Sequence, residues 1–247
     1  MRAYTYAEYW FLRRFFRPRT GSEPSYQNQN KLRTLLGEEF LQSLHGKTVI
    51  DFGCGHGNEA IEMIRHGAAF VIGVDTWEEA LAAAKRNALA AGVADRCEFV
   101  PSTDRHADVI VSLDAFEHFS DPAAILNNMA GLLPHGGEVI ISFGPTWLHP
   151  KGGHLFSVFP WAHLLFSERA LLRWRSDYRD DGAKSFGEVA GGLNRMTLRR
   201  FEKIVDESAF RIRRLEKVPI RSARVLHNRL TEEFLTSIVR CSLVKTG

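Results

Sequence analysis

Cysteine is scarce in this chain of 247 residues, with only Cys54, Cys97 and Cys241. Their spacing matches no metal-ligand pattern, and a small odd number fits reduced cytosolic thiols better than a disulfide framework. An excess of charge of one sign is also lacking: the net charge of +3 is too small to draw in nucleic acid by itself. No apolar run approaches the ~18 residues of a membrane span. Residues 4–19, YTYAEYWFLRRFFRPR, lack the long apolar core of a secretory signal. There is no internal repeat and no low-complexity tract. What remains is an ordinary soluble composition, 45% apolar and 25% charged, with the cytoplasm as expected location. The length suits one large α/β domain, or a medium domain with an insertion.

Residues 4–19 read as an aromatic, basic helix. Its stripe is expected to pack on the domain or cover the site; contact with an anionic membrane surface is the alternative. Residues 20–30 are polar and turn-rich, and a second helix is expected over residues 31–44. Apolar runs then mark strands at residues 48–52, 70–75, 97–100, 108–113 and 138–143. Between them lie a helix over residues 58–65, stopped by Gly67, and one presenting Ala80, Ala84, Ala88 and Ala91 on one face until Gly92. Thr76 and Glu79 have capping-box spacing. Asp121-Pro122 marks another helix start, and Thr197 caps a helix over residues 198–208. Final strands are expected at residues 210–218 and 237–244.

Strands alternating with helices imply a mainly parallel sheet covered on both faces. About 50 residues, 144–194, break the rhythm, too many for an ordinary connection. They carry Trp147, Phe156, Phe159, Trp161, Phe166 and Trp174, most of which are expected to form the insertion's own core. The expected organisation is a single domain over residues 1–247. It comprises an N-terminal helical cap (1–45), a ligand-binding core (46–143), a substrate-covering insertion (144–194) and a C-terminal part of the core (195–247).

The stretch VIDFGCGHGNEA, residues 49–60, joins the first strand to its helix. Gly53, Gly55 and Gly57 permit a sharp turn and close approach of a ligand to the backbone, at a helix N-terminus whose free N–H groups favour a carboxylate or phosphate. Asp75 ends the next strand, where a carboxylate can accept two ribose hydroxyls. A G-x-G-x-x-G dinucleotide fingerprint needs glycine at position 58, which is Asn58. Asp51, just before the loop, suits a ligand bearing an ammonium group better than a pyrophosphate. A ligand with an amino-acid tail fits both features.

Here the chain resembles the class I S-adenosylmethionine-dependent methyltransferases, particularly those acting on small molecules. The resemblance is carried by VIDFGCGHG, GVDTWEEAL, DVIVSLDAFEHFSDP and LLPHGGEVIISF, with NRMTLRRFEKIVDESAFRIRRLE resembling the family's late helix and strand. It implies a Rossmann-like, doubly wound sheet of seven strands, the last antiparallel, flanked by helices, with a large insertion after the fifth strand. It also implies S-adenosyl-L-methionine as cofactor and S-adenosyl-L-homocysteine as product. Asp51, Gly53, Cys54, Gly55 and Gly57 would surround the methionine part, Asp75 would hold the ribose, and Ser112 and Leu113 would lie near the sulfonium. Two departures stand out. Thr76 sits where an apolar residue usually packs on adenine, with Trp77 next as a stacking face or a buried neighbour. Ser102-Thr103-Asp104 replaces the usual Gly-Asp, leaving Thr103 or Asp104 to meet the adenine amine.

Methyl transfer from a sulfonium mostly requires alignment and exclusion of water, and a hydroxyl acceptor gains from a general base, histidine first. His118, after the fourth strand, and His154, in the insertion, are the candidate catalytic residues; His149 and His163 are weaker ones. No metal is expected, because the insertion's histidines match no trusted ligand spacing. The expected partner is a small molecule rather than nucleic acid, since so large an insertion leaves little open surface. RNA or protein methylation, with Arg13, Arg14, Arg17 and Arg19 or the loop from Arg221 to Arg229 as docking charges, is one alternative. A non-catalytic binding protein that kept the cofactor fold is the other.

Overall fold

A computed structural model describes residues 3–17, 31–179, 181–189 and 191–246 of the chain. The loop expected at residues 20–30 and Arg19 fall outside these.

Seven strands form one sheet: β1 (Thr48–Phe52), β2 (Phe70–Val74), β3 (Cys97–Val100), β4 (Val109–Leu113), β5 (Glu138–Phe143), β6 (Phe210–Pro219) and β7 (Thr236–Lys245). The spatial order is β3-β2-β1-β4-β5-β7-β6. The first five pair in parallel, and β7 enters antiparallel between β5 and β6. Near-continuous apolar runs form β1, β2 and β4 because both of their faces are covered; Val49, Ile50, Val71, Ile72, Ile110 and Val111 are fully buried. The strand order reverses at β1 and β4, so their carboxyl ends open onto a common crevice, where ligands of open α/β sheets bind.

One face is covered by α6 (Pro122–Gly131) and α9 (Leu198–Asp206), through Leu126, Met129, Phe201 and Val205. Both helices start as their sequences imply. Asp121 accepts the Ala124 N–H at 3.0 Å ahead of Pro122, and Thr197 accepts the Arg200 N–H at 3.1 Å. Each such cap contributes about 1 kcal/mol. The other face carries α4 (Asn58–Arg65) and α5 (Glu78–Ala90), the latter packing Ala80, Ala84 and Ala88 inward. The expected capping box at Thr76 is not formed. The helix begins at Glu78 with Trp77 as a cap whose side chain bonds no helix N–H; the Glu79 carboxylate, which the box would turn back to the Thr76 N–H, takes the Trp77 indole N–H instead.

The N-terminal expectations need two corrections. The helix expected over residues 31–44 is two helices, α2 (Lys31–Leu36) and α3 (Glu38–Ser43), broken at Gly37, whose φ of 81° lies outside helical space. Leu32, Leu35, Leu41 and Leu44 join the core beneath α4, while Lys31 at the start of α2 reaches Glu59 and Asp114. Helix α1 (Ala3–Phe15) instead packs with the insertion. Thr5, Tyr9 and Leu12 face inward, and the Tyr9 hydroxyl donates to Asp177 at 2.8 Å. Most of the aromatic stripe faces out: Tyr4, Tyr6, Trp10 and Phe15 are each more than half exposed. The 3.6-residue period can bury only one narrow face against a single neighbouring helix.

That neighbour is α8 (Glu168–Ser176), which follows the single turn α7 (Ala162–Leu165). Phe156, Leu171, Trp174, Phe186 and Leu193 join Tyr9 and Leu12 in a third core, so the insertion's aromatics serve mainly its own packing. A last short helix, α10 (Glu232–Leu235), leads into β7. No described helix is long and apolar enough to cross a membrane.

Candidate functional site

The β1–α4 loop turns through three left-handed glycines, with φ of 86°, 49° and 76° at Gly53, Gly55 and Gly57. They do different work. A Cβ on Gly53 would meet that of Ala115 at 2.5 Å, and one on Gly57 would meet the Phe99 ring at 2.7 Å and Ala84 at 2.8 Å. Those two glycines are demanded by packing. A Cβ on Gly55 meets nothing within 4 Å, so this backbone alone opens onto free space. Only part of the loop is therefore shaped for a ligand.

Asp75 faces that opening: its carboxylate accepts the Gly55 N–H at 2.8 Å as well as that of Trp77. Two backbone donors leave lone pairs on both oxygens for further hydroxyls. Asp51 lies beneath the loop, 2% exposed. Its carboxylate receives the Ala60 N–H at the start of α4, while Oδ2 has no partner among the described residues. Burial first, then the charges of Glu59 and Asp75, push Asp51 up to about 8 against the pull of Lys31. Lys31, which the sequence did not single out, bridges Glu59 and Asp114 at 3.1 Å each. Burial alone would lower its ammonium, but the two acids outweigh that and raise it. The mouth is thus an acidic ring that already attracts a cation.

Other expected ligand contacts differ. The Cys54 side chain points into the core, where burial raises its thiol, and its N–H bonds the Val74 carbonyl. Ser112 and Leu113 are buried, so only their backbone can face a ligand. Thr76 and Trp77 are exposed; Trp77 is not a buried neighbour of the helix but stands edge-on to His56 at 5.5 Å. Thr103 spends its hydroxyl on the Arg105 N–H at 3.2 Å. Arg105 folds this loop back onto Glu98 and over the Phe70 ring, leaving Asp104 in solvent. No hydrogen bond among the described residues links Thr103 or Asp104 to the glycine loop.

Past β4 the chain makes a turn over residues 114–119 that packs Ala115 against Gly53. Asn194, another residue the sequence reading missed, clasps this turn. Its amide donates to the Phe116 and Phe119 carbonyls at 2.8 and 2.9 Å, and its backbone N–H donates to that of Glu117 at 3.0 Å. His118 Nδ1 lies 2.7 Å from the Gly192 carbonyl and is therefore the protonated nitrogen. The structure brings His118 and His154 together, with ring centroids 5.3 Å apart. His149 and His163 are engaged elsewhere. His163 lies between Ser157 and the Trp147 carbonyl at 3.0 and 2.7 Å, and His149 accepts the Lys151 N–H at 3.0 Å. Burial, then His118, lowers His154 to about 4, well below the value that suits a general base at neutral pH.

The family described as "Methyltransferase domain" matches residues 25–215. A ubiquinone biosynthesis O-methyltransferase of Neisseria meningitidis serogroup C is 41% identical over 106 residues, 40% of this chain and 44% of the relative. A ribosomal protein L11 methyltransferase of Vibrio cholerae is 38% identical over 126 residues, 50% of this chain and 40% of the relative. The matches thus span less than half the length of these relatives. An S-adenosylmethionine-dependent methyltransferase structure from Mesorhizobium loti superposes with a TM-score of 0.57 at 20% identity, covering 87% of this chain and 95% of its own, a likeness of fold.

Proposed function

We propose methyl transfer to a small-molecule hydroxyl as the activity of this chain, which belongs to the class I S-adenosylmethionine-dependent methyltransferase family. The observation that carries the reading is the buried Asp51 oxygen without a partner, beneath the bare backbone of Gly55. The cofactor's amino-acid end and ribose match what these residues lack: Asp51 would take the ammonium, and Asp75 the ribose hydroxyls. The exposed Trp77 ring offers a flat face for the adenine. Bound there, the sulfonium supplies an electrophilic methyl group and a neutral thioether leaving group.

The chain's own part is to hold, align and exclude water. Asp75 ties the glycine loop to the end of β2, so the ribose contact and the Gly55 opening move as one unit. The residue 114–119 turn, clasped by Asn194, joins the insertion to the end of β4 where an acceptor would arrive. Oxygen as the accepting atom follows the O-methyltransferase relatives. The aromatic face of α1 would suit an apolar acceptor met at a membrane surface.

The acceptor class is tested with labelled methyl donor and cell extract separated into organic-extractable, RNA and protein fractions. Label in the extractable small-molecule fraction is expected. Label confined to RNA or protein would replace this reading by the macromolecular one, for which the L11 methyltransferase relative is the precedent.

A pH dependence follows from Asp51. With its pKa raised to about 8, the unliganded site keeps a proton at neutral pH that a bound ammonium would expel. Affinity for S-adenosylhomocysteine should therefore rise from pH 6 to pH 8, by up to about tenfold per unit for one released proton. Asp51→Asn should flatten that slope. The same shift means the unliganded fold loses stability as pH climbs from about 4 to 8, because the unfolded chain gives up this proton first. Calorimetry across buffers checks both; proton uptake on binding would contradict the assignment.

A further inference from the structure

Glu117, His118 and His154 each offer one donor atom, and these atoms all lie within 4.8 Å of one another. Glu117 is 4% exposed; its Oε1 accepts the Gly144 N–H at 3.1 Å, while its Oε2 has no partner among the described residues. His154 Nε2 is likewise buried without a partner. The Gly192 carbonyl holds the proton of His118 on Nδ1, which leaves the Nε2 lone pair free. A hydrogen bond from the far ring nitrogen to a carbonyl orients most metal-ligating histidines in this way. Two buried unpartnered atoms and one oriented imidazole thus belong to three side chains whose donor atoms cluster within 4.8 Å.

We propose that Glu117, His118 and His154 bind one divalent first-row transition-metal ion at the acceptor end of the site. Two imidazole nitrogens and one carboxylate favour zinc, iron(II) or manganese(II) over magnesium or calcium, which take oxygen donors. Ligand atoms around a tetrahedral zinc with bonds of ~2.0–2.2 Å lie roughly 3.3 Å apart, so closure needs side-chain movement of about 1.5 Å at most. Three protein ligands leave a position open. The residue 114–119 turn packs on the glycine loop through Ala115, so that position lies beside the cofactor cradle. A hydroxyl reaching it gives up its proton to solvent more readily. This role rests on the methyltransferase reading; the binding of an ion does not. The proposal departs from the sequence expectation of no metal. The ligands come from two distant segments, and no local spacing announces them.

The test uses metal-free full-length protein titrated with Co²⁺, read by visible absorbance and by calorimetry, with S-adenosylhomocysteine binding measured in parallel. One Co²⁺ per chain, displaced by Zn²⁺, is expected. Glu117→Gln and His154→Ala should each weaken Co²⁺ binding at least ~100-fold, the upper end of what loss of an outer-shell partner alone costs. Both should still bind S-adenosylhomocysteine, which shows them folded, and the exposed His135→Ala should bind Co²⁺ as the parent does. Folded protein that binds S-adenosylhomocysteine but no Co²⁺ would overturn the site, as would Co²⁺ binding that survives both substitutions. Co²⁺ binding without S-adenosylhomocysteine binding would support the metal site and remove the methyltransferase reading instead.

Discussion

Gly55→Leu should leave the protein folded and weaken S-adenosylhomocysteine binding at least about 100-fold, roughly 2.7 kcal/mol. The backbone there is left-handed, φ 49°, so any side chain costs about 1–2 kcal/mol in strain. For a chain of this length that lowers Tm by about 2–8 °C. No atom lies within 4 Å of the added Cβ, so no overpacking term joins the strain. The leucine side chain instead grows into the space that Asp75 faces, where the cofactor's backbone contact would be. A variant that unfolds would contradict the open space beside Gly55, and one that binds as well as the parent would show that Gly55 does not border the ligand.

Gly57→Ala should do the reverse. Its φ of 76° carries the same strain, and its Cβ would stand 2.7 Å from the Phe99 ring and 2.8 Å from Ala84. Neither neighbour is the free end of a flexible chain: Ala84 is fixed on α5, and Phe99 is buried in the core between sheet and helices. Strain plus overpacking comes to about 2–5 kcal/mol, a fall in Tm of about 4–20 °C. The fraction that remains folded should bind S-adenosylhomocysteine within about threefold of the parent, since this glycine packs on the core side of the loop. Thermal melts with and without ligand separate the two glycines, two residues apart yet differing in what fills the space beside them.

That contrast marks the limit of what the sequence made legible. The strands were readable because a strand buried on both faces is a near-unbroken apolar run, and β1, β2 and β5 fall where those runs lie. The cradle was readable because Asp51, the glycines and Asp75 sit at the ends of two adjacent strands, where local spacing translates into spatial nearness. Which glycine borders open space was not, since that depends on Ala115, Phe99 and Ala84 arriving from elsewhere in the chain. Lys31 and Asn194 were invisible for the same reason, as was Glu233, whose carboxylate takes the Leu198 and Arg199 N–H groups at 3.0 and 2.9 Å. The capping box at Thr76 is not formed because the Glu79 carboxylate it requires takes the Trp77 indole N–H instead. His118 and His154 were singled out as possible bases, but only folding shows that they face one another beside Glu117 and that burial lowers His154.

The central claim is that the crevice at the ends of β1 and β2 holds an adenosyl amino acid. Calorimetric titration of the wild-type chain near pH 8 with S-adenosylhomocysteine, and separately with NAD, tests it most directly. Saturation at one S-adenosylhomocysteine per chain, with no heat from NAD, is the predicted result. Tight NAD binding by folded protein that ignores S-adenosylhomocysteine would contradict it.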